Sequence, residues 1–238
     1  MKNVALFVTC VVDQTMPEIG VATVQLLRQA GCHVEFPQAQ TCCGQPFFNS
    51  GFVKQARDLA KRTIEIFEPY EAIVLPSGSC TTMIRVEYPH LFADDVAWHG
   101  RAQALATKTF ELGEFLNQYT EWQPEKAETA PSVTYHDSCH MCRMLGLQAE
   151  PREMLTAVGC TLTEMEASNR CCGFGGLFSM RMSELSNAMT GDKLDNATAT
   201  KADVLVTADP GCLMQMRGLA GEGQRVEHIA TMLEEMTR

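Results

Sequence analysis

Short continuous apolar runs alternate along the chain with longer segments whose apolar residues recur at helical spacing. VALFVT (4–9) and AIVLP (72–76) are apolar runs of strand length and predict buried β-strands. PEIGVATVQLLRQAG (17–31) and VKQARDLAKRTIEIF (53–67) each have one apolar face and predict amphipathic helices. Because strands that alternate with helices pair in parallel through right-handed crossovers, the pattern predicts an α/β fold.

The same order of predicted elements returns in the second half of the chain. Between the halves, EWQPEKAETAPS (121–132) is polar, contains prolines and lacks apolar periodicity, which is typical of a linker. We therefore predict two duplicated Rossmann-like units with parallel sheets, residues 1–122 and 131–238. The other predicted strands are HVEF (33–36), SVTYH (132–136), TLTEM (161–165), DVLVT (203–207) and RVEHI (225–229), and the other predicted helices are REMLTAVG (152–159) and MRMSELSNAMTGDKLDNAT (180–198).

The spacing of the cysteines repeats as well. Each half carries one cysteine, a Cys-Cys-Gly sequence after 31 intervening residues, and a fourth cysteine after a further 36 residues in the first half or 39 in the second. Such self-similarity indicates duplication of one unit. The first cysteine set is Cys10, Cys42, Cys43 and Cys80, and the second cysteine set is Cys139, Cys171, Cys172 and Cys212.

Every cysteine of these sets follows a predicted strand or lies in the loop leading out of one. In an open parallel sheet, such positions gather at the carboxyl edge, where ligands bind. We therefore expect the four thiols of each half to meet at that edge of its sheet. Gly44 and Gly173 follow the cysteine pairs, which fits a sharply bent loop whose backbone amides approach a bound ligand.

Four thiols suit either zinc or an iron–sulfur cluster. Structural zinc sites usually take their cysteines from C-x₂₋₄-C knuckles, and neither set has that spacing. Adjacent cysteines ligate different corners of a multinuclear cluster more naturally than one small ion. The pattern favours an iron–sulfur cluster, one or two per chain, over zinc.

Composition and charge limit the classes of protein in which this metal chemistry would occur. The formal net charge is −10 and the pI about 5.1, so there is no basic surface for nucleic acid. No window holds the about 18 consecutive apolar residues of a transmembrane helix, and the start, MKNVALFVTCVVDQ, predicts a strand and not a signal peptide. The odd count of eleven cysteines speaks against a disulfide framework and for metal or redox chemistry in a cytoplasmic protein.

These motifs together resemble a known family. The twice-repeated pattern is similar to the cysteine-rich CCG domain of heterodisulfide reductase, the glycolate oxidase iron–sulfur subunit and lactate utilization protein A. FVTC (7–10), TCCGQPFFNSG (41–51), PSGSC (76–80) and CCGFGG (171–176) resemble the lactate utilization branch most. The resemblance spans essentially the whole chain.

The resemblance implies an iron–sulfur electron-transfer subunit of a complex that oxidises L-lactate to pyruvate. It implies a ferredoxin-type iron–sulfur subunit and a third subunit as partners, and the two cysteine sets as cluster ligands. In heterodisulfide reductase the last cysteine of each motif belongs to a C-x-x-C, whereas Met83 and Gln215 stand at those positions here. That departure favours a four-cysteine [4Fe–4S] site, with a disulfide reductase or a structural zinc scaffold as the alternatives.

Residues near the sets are weaker candidates, and no nucleophile–base pair identifies a catalytic residue. His136 either tunes a cluster from behind its ligands or ends a strand as an ordinary hydrogen-bonded residue. Asp137 and Arg143 are expected to be surface charges, and Cys142 could form a C-x-x-C redox motif with Cys139. Cys32 and Cys160, which precede strands, are expected to be buried structural thiols.

Overall fold

The computed structural model describes residues 2–238, which divide into two compact units. The first unit extends to Glu121 and the second begins at Trp122. The chain between Tyr119 and Ser132, where the linker is predicted, contains neither helix nor strand. Among the described residues, no helix combines the length and the apolar character needed to cross a membrane.

The first unit is built on a four-stranded parallel sheet with the strand order β2-β1-β3-β4. Because the chain moves outward in one direction from β1 to β2 and in the other from β3 to β4, a crevice opens beyond the carboxyl ends of β1 and β3. The strands are β1 (Lys2–Leu6), β2 (Cys32–Glu35), β3 (Ile73–Leu75) and β4 (Thr109–Glu111).

Helices connect these strands, as the crossover of a parallel pair requires. On α4 the residues Ala56, Ala60, Ile64 and Phe67 are buried, which is the spacing of one helical face. The helices are α1 (Cys10–Thr15), α2 (Pro17–Gln29), α3 (Gln45–Asn49), α4 (Val53–Phe67), α5 (Gly78–Thr82), a π-helical turn (Met83–Glu87), α6 (Tyr88–Leu91), α7 (Val96–Ala106) and α8 (Leu112–Tyr119).

The second unit repeats this plan with the strand order β6-β5-β7-β8, again fully parallel. Its strands are β5 (Ser132–His136), β6 (Thr161–Leu162), β7 (Val204–Thr207) and β8 (Arg225–His228). Its helices are α9 (Cys139–Met144), α10 (Ala149–Ala157), α11 (Leu177–Arg181), α12 (Ser183–Ala199), α13 (Pro210–Leu219) and α14 (Ile229–Met236).

The predicted α/β class, with one parallel sheet in each half, is confirmed. The prediction missed β4, because the three residues TFE carry too little pattern to separate them from the flanking helices. The single helix predicted over 180–198 is two helices, α11 and α12, since Met182 between them has φ −124° and ψ 47°. β1 ends at Leu6, before the predicted end, and the chain then turns at Thr9 (φ 74°) so that α1 begins at Cys10.

Candidate functional site

The first cysteine set lies where the sheet topology opens its crevice. Cys10 is the first residue of α1 directly after β1, and Cys80 lies on α5 directly after β3, the neighbouring strand. Cys42 and Cys43 lie in the loop between β2 and α3. The three strand ends thus bring together cysteines that lie up to seventy positions apart in the sequence.

The four sulfur atoms of the first set form a connected group of free thiols. The Sγ atoms of Cys43 and Cys80 are 3.3 Å apart, and Cys42 hydrogen-bonds through sulfur to both Cys10 and Cys43. Cys43 is buried, whereas Cys10, Cys42 and Cys80 are half-buried. The group therefore has a covered side and a side open to solvent.

Hydrogen bonds within this group favour the thiolate form of Cys42. Hydrogen bonds from the thiols of Cys10 and Cys43, together with the backbone amide of Gly44, lower the pKa of Cys42 to about 3. The Gly44 amide lies 3.4 Å from the sulfur, and the φ of +89° at Gly44 turns that amide inward. The thiolate is the form that binds metals, so the loop prepares one ligand before any metal arrives.

The second cysteine set repeats this arrangement at the carboxyl edge of the second sheet. Cys139 is the first residue of α9 after β5, and Cys212 lies on α13 after β7. Sulfur hydrogen bonds join Cys139 to Cys171, Cys171 to Cys172, and Cys172 to Cys212. Cys172 and Cys212 are buried, whereas Cys139 and Cys171 are half-buried.

Cys171 plays the part that Cys42 plays in the first set. The thiols of Cys139 and Cys172 and the amide of Gly173, 3.4 Å from the sulfur, hold the pKa of Cys171 far below its usual range. Gly173 has φ +94°, and a Cβ there would lie 2.4 Å from the carbonyl oxygen of Ser186. Only glycine fits this close approach between the cysteine loop and α12.

His136 ends β5 directly behind the second set. Its side chain is fully buried, and neither ring nitrogen has a hydrogen-bond partner within residues 2–238. A ring nitrogen of His136 and the sulfurs of Cys172 and Cys212 all lie within 4.8 Å of one another. Burial, with a further contribution from the positive charge of Lys193, lowers the pKa of His136 to about 4, so its imidazole is neutral. The alternative of an ordinary hydrogen-bonded residue at a strand end does not describe this ring.

Two neighbours of the second set, Asp137 and Cys142, are buried. The prediction that Asp137 is a surface charge is wrong, because it pairs through both carboxylate oxygens with Arg152, at 2.8 and 2.9 Å. Burial raises the pKa of Cys142, so it lacks the exposed thiolate of a redox motif. Arg143 is exposed, as expected, and donates to the carbonyl of Asn169.

Each unit thus presents four soft sulfur donors and an inward-facing amide at one sheet edge. Thiolate sets of this kind bind zinc, Cu(I) or iron–sulfur clusters and disfavour the hard cations Mg²⁺ and Ca²⁺. The arrangement fits a metal ion or metal cluster in each unit. Free thiols at all eleven cysteines leave both sets available as ligands.

Comparison with known proteins bears directly on this pattern. The cysteine-rich domain family, CCG, matches residues 4–85 and again residues 133–217. The chain belongs to the cysteine-rich CCG domain family. Lactate utilization protein A of Bacillus subtilis (strain 168) is 47% identical over 235 residues, which cover 97% of this chain and 98% of that protein. Lactate utilization protein A of an Exiguobacterium species is 47% identical over 241 residues, which cover 99% of this chain and 98% of that protein.

Among solved structures, a hypothetical protein from Helicobacter pylori has a similar fold. Its TM-score is 0.72 at 9% identity, and the match covers 99% of this chain and 49% of that protein. At so low an identity the likeness concerns the fold alone. It agrees with the parallel α/β architecture described above.

Met83 and Gln215 lie three positions after Cys80 and Cys212, where the resemblance to heterodisulfide reductase leads one to expect a cysteine. Met83 is fully buried in the core of the first unit. Gln215 donates to the hydroxyls of Ser186 and Thr190, at 3.1 and 3.0 Å. Met83 therefore packs in the core, Gln215 hydrogen-bonds to α12, and neither residue offers a thiol to its set. Cys32 and Cys160 are buried, as expected of structural thiols.

Several groups that the sequence patterns did not reveal hold the cysteine loops from behind. Tyr88 donates to the carbonyl oxygen of Cys43 at 2.7 Å, and Thr190 donates to that of Cys172 at 2.7 Å. Lys193 is buried and donates to the carbonyls of residues 167 and 168 at 2.6 and 3.1 Å. The sequence contains only a weak indication that Lys193 is buried, because it is the single lysine of α12 and lies on the face that packs inward.

Proposed function

We propose that this chain is an iron–sulfur electron-transfer subunit of a complex that oxidises L-lactate to pyruvate. The observation that carries the proposal is the convergence of four free thiols, one of them poised as a thiolate, in each of two duplicated units. We infer lactate as the substrate from the relatives named lactate utilization protein A. In this proposal the two CCG repeats span residues 1–122 and 131–238.

The eight repeated cysteines are the proposed ligands of [4Fe–4S] clusters, one or two per chain. An iron–sulfur cluster accepts and releases electrons at a potential set by its ligands, hydrogen bonds and burial. Cys42 and Cys171 would bind first, because their thiolates already exist before metal arrives. Hydrogen bonding and burial raise the pKa values of the four thiols that bond to them, so these thiols would release protons as they bind a cluster, and loading should become more favourable as the pH rises. These thiols are Cys10, Cys43, Cys139 and Cys172.

The family resemblance and the chemistry of the chain's own residues suggest the rest of the system. Its sequence carries no recognisable nucleophile–base pair for hydroxyacid chemistry, so we assign lactate binding to another subunit. The partners proposed are a ferredoxin-type iron–sulfur subunit and a third subunit of the same system. The compartment proposed is the cytoplasm, where thiols stay reduced.

Metal analysis of the whole chain, purified without oxygen, tests the proposal. Iron, zinc and acid-labile sulfide are measured per chain together with the visible spectrum. Near-equal iron and sulfide are expected, at about eight of each if both units bind a [4Fe–4S] cluster and about four if one does. A colourless protein with stoichiometric zinc would overturn the electron-transfer function and favour a structural scaffold.

Single substitutions in each cysteine pair test the ligand assignment. Cys43→Ala and Cys172→Ala each remove one sulfur from one set, and each should lose about half of the iron of a chain with two clusters. Cys32→Ala is the matched control, because Cys32 is a buried cysteine outside both sets. Full iron in both pair variants, or equal iron loss in the control, would contradict the assignment.

A further inference from the structure

His136 is a buried polar group with nothing to bond to in the described part of the protein. It is 0% exposed, and both ring nitrogens lack hydrogen-bond partners among residues 2–238. Buried polar side chains in folded proteins are nearly always hydrogen-bonded, because an unmet donor or acceptor is costly. A ring left without a partner in this way indicates a partner that binds from outside the chain.

The position of the ring identifies where that partner binds. A ring nitrogen of His136 lies within 4.8 Å of the sulfurs of both Cys172 and Cys212. These are the two buried members of the second cysteine set. The imidazole therefore lies on the covered side of the second centre, away from solvent.

The first unit has a different residue at the matching sequence position. Phe7 lies three residues before Cys10, as His136 lies three residues before Cys139. Phe7 is also fully buried, and its ring packs against Phe67 with the centroids 5.0 Å apart. A phenyl ring offers no N–H, so the two centres share their thiols and differ in this donor.

We propose that His136 donates an N–H hydrogen bond to a sulfur of the second centre and thereby gives that centre a higher reduction potential than the first. This inference rests on the proposed iron–sulfur function. An imidazole carries at least one N–H whether it is neutral or protonated, and a hydrogen bond to cluster sulfur stabilises the extra negative charge of the reduced state. At equilibrium, electrons shared between the two centres would then favour the second one.

The other charged groups around the ring are the same in every variant of the test. Asp137 is tied to Arg152, and Lys193 and Asp209 also face His136. Their charges influence the absolute potential of the second centre. A substitution at His136 alone isolates the contribution of the N–H.

The test is a redox titration of the full chain, loaded without oxygen and followed by electron paramagnetic resonance. The wild type should show two potentials. His136→Phe, which installs the first unit's residue, should lower the higher potential and leave the lower one unchanged. His136→Leu removes the N–H without introducing the larger phenyl ring, and it should shift the same potential in the same direction.

Variants that keep an amide N–H sharpen the result. His136→Gln and His136→Asn place an N–H near one or the other ring nitrogen, and recovery of the higher potential by either supports the hydrogen bond. Phe7→Leu is the matched control and should leave the second potential in place.

Iron and sulfide measured on the same samples separate the failures. Full iron with an unmoved potential in His136→Phe and His136→Leu would overturn the role of His136 alone. Loss of iron from the second unit in both variants would also overturn it, because His136 would then be needed to retain the centre and not to set its potential. A wild-type chain without iron and sulfide would overturn the proposed function together with this inference.

Discussion

Each unit places four cysteine sulfurs at the carboxyl edge of its own sheet, but the side chains that support the cysteine loop differ between the units. In the first unit the cysteine loop rests on α4 at Ala56, and one turn later the helix presents Ala60. In the second unit the loop rests on α12 at Ser186, and one turn later the helix presents Thr190. At these two matching positions, alanines in one unit correspond to hydroxyl side chains in the other.

The backbone carbonyl of the second cysteine in each pair, Cys43 or Cys172, is an example of this difference. Tyr88, at the start of α6, satisfies that of Cys43, whereas Thr190, on α12, satisfies that of Cys172. A buried carbonyl needs a donor, but the donor can come from any element that packs nearby. Duplication therefore preserved the ligands and the need for a donor, while the supplier of that donor differs between the units.

The glycines after the cysteine pairs give the largest expected contrast between the units. Gly44→Ala should lower the free energy of unfolding by about 1–3 kcal/mol because of the positive φ at this position. A Cβ there would lie 3.3 Å from the Ala56 carbonyl oxygen. Gly173→Ala should cost more, above about 4 kcal/mol, because its Cβ would lie 2.4 Å from the Ser186 carbonyl oxygen. Thermal unfolding and metal content of the two variants check the order.

Equal melting temperatures for Gly44→Ala and Gly173→Ala would contradict the close packing assigned to the second cysteine loop. Gly221→Ala is the control, because it has an open surrounding and no strained backbone angle. It should unfold within about 0.5 kcal/mol of the wild type.

The helix caps after β4 and β8 give an intermediate contrast that depends on pH. Glu111 is buried and accepts from the amides of Gly113 and Glu114, while the matching His228 accepts from the amide of Ala230. Burial raises the pKa of Glu111 to about 8 from an ordinary 4.5. The folded state thus keeps a proton that the unfolded chain has lost, and stability falls as the pH rises from about 4.5 to about 8.

Glu111→Gln should remove this pH dependence, because glutamine carries no titrating proton. Denaturant unfolding of the wild type and the variant at several pH values measures the difference in the free energy of unfolding. That difference should grow in favour of the variant by a few kcal/mol as the pH rises, since a tenfold change in proton affinity corresponds to about 1.4 kcal/mol. A difference that stays constant from about pH 4 to 9 would show that the pKa of Glu111 is the same in the folded and unfolded states.

The two hydroxyls that hold the cysteine carbonyls give the smallest effects. Tyr88→Phe should cost about 1–3 kcal/mol, because the carbonyl of Cys43 loses its buried donor. Thr190→Val removes the bond to Cys172 and one acceptor of Gln215, so it should lie toward the upper end of the same range. Chemical denaturation of both variants measures these costs.

Thr156→Val is the control for these hydroxyl substitutions. Its hydroxyl bonds to the Arg152 carbonyl at an exposed site, where water can replace it. The cost should therefore be near zero, within about 0.5 kcal/mol. A similar cost at all three positions would mean that burial of the bonded carbonyl is not what matters.

Some elements could be predicted to the residue, and the reason is local. α4 (Val53–Phe67) and β5 (Ser132–His136) have the bounds that their patterns predict, because each has one strongly periodic or continuous apolar face. β4 was missed because its three residues carry no period of their own. The burial of Asp137 could not be foreseen, because its partner Arg152 lies on another element, fifteen residues away.

The sequence by itself determined the duplication, the parallel α/β class and the two four-cysteine sets, because spacing and periodicity are written in the order of residues. Only the tertiary structure decided which atoms surround each set. The contact of Tyr88 or Thr190 with a cysteine carbonyl, and the approach of the His136 ring to two cysteine sulfurs, depend on packing between segments distant in sequence. Such contacts form when whole helices settle on a sheet, and no local pattern specifies them.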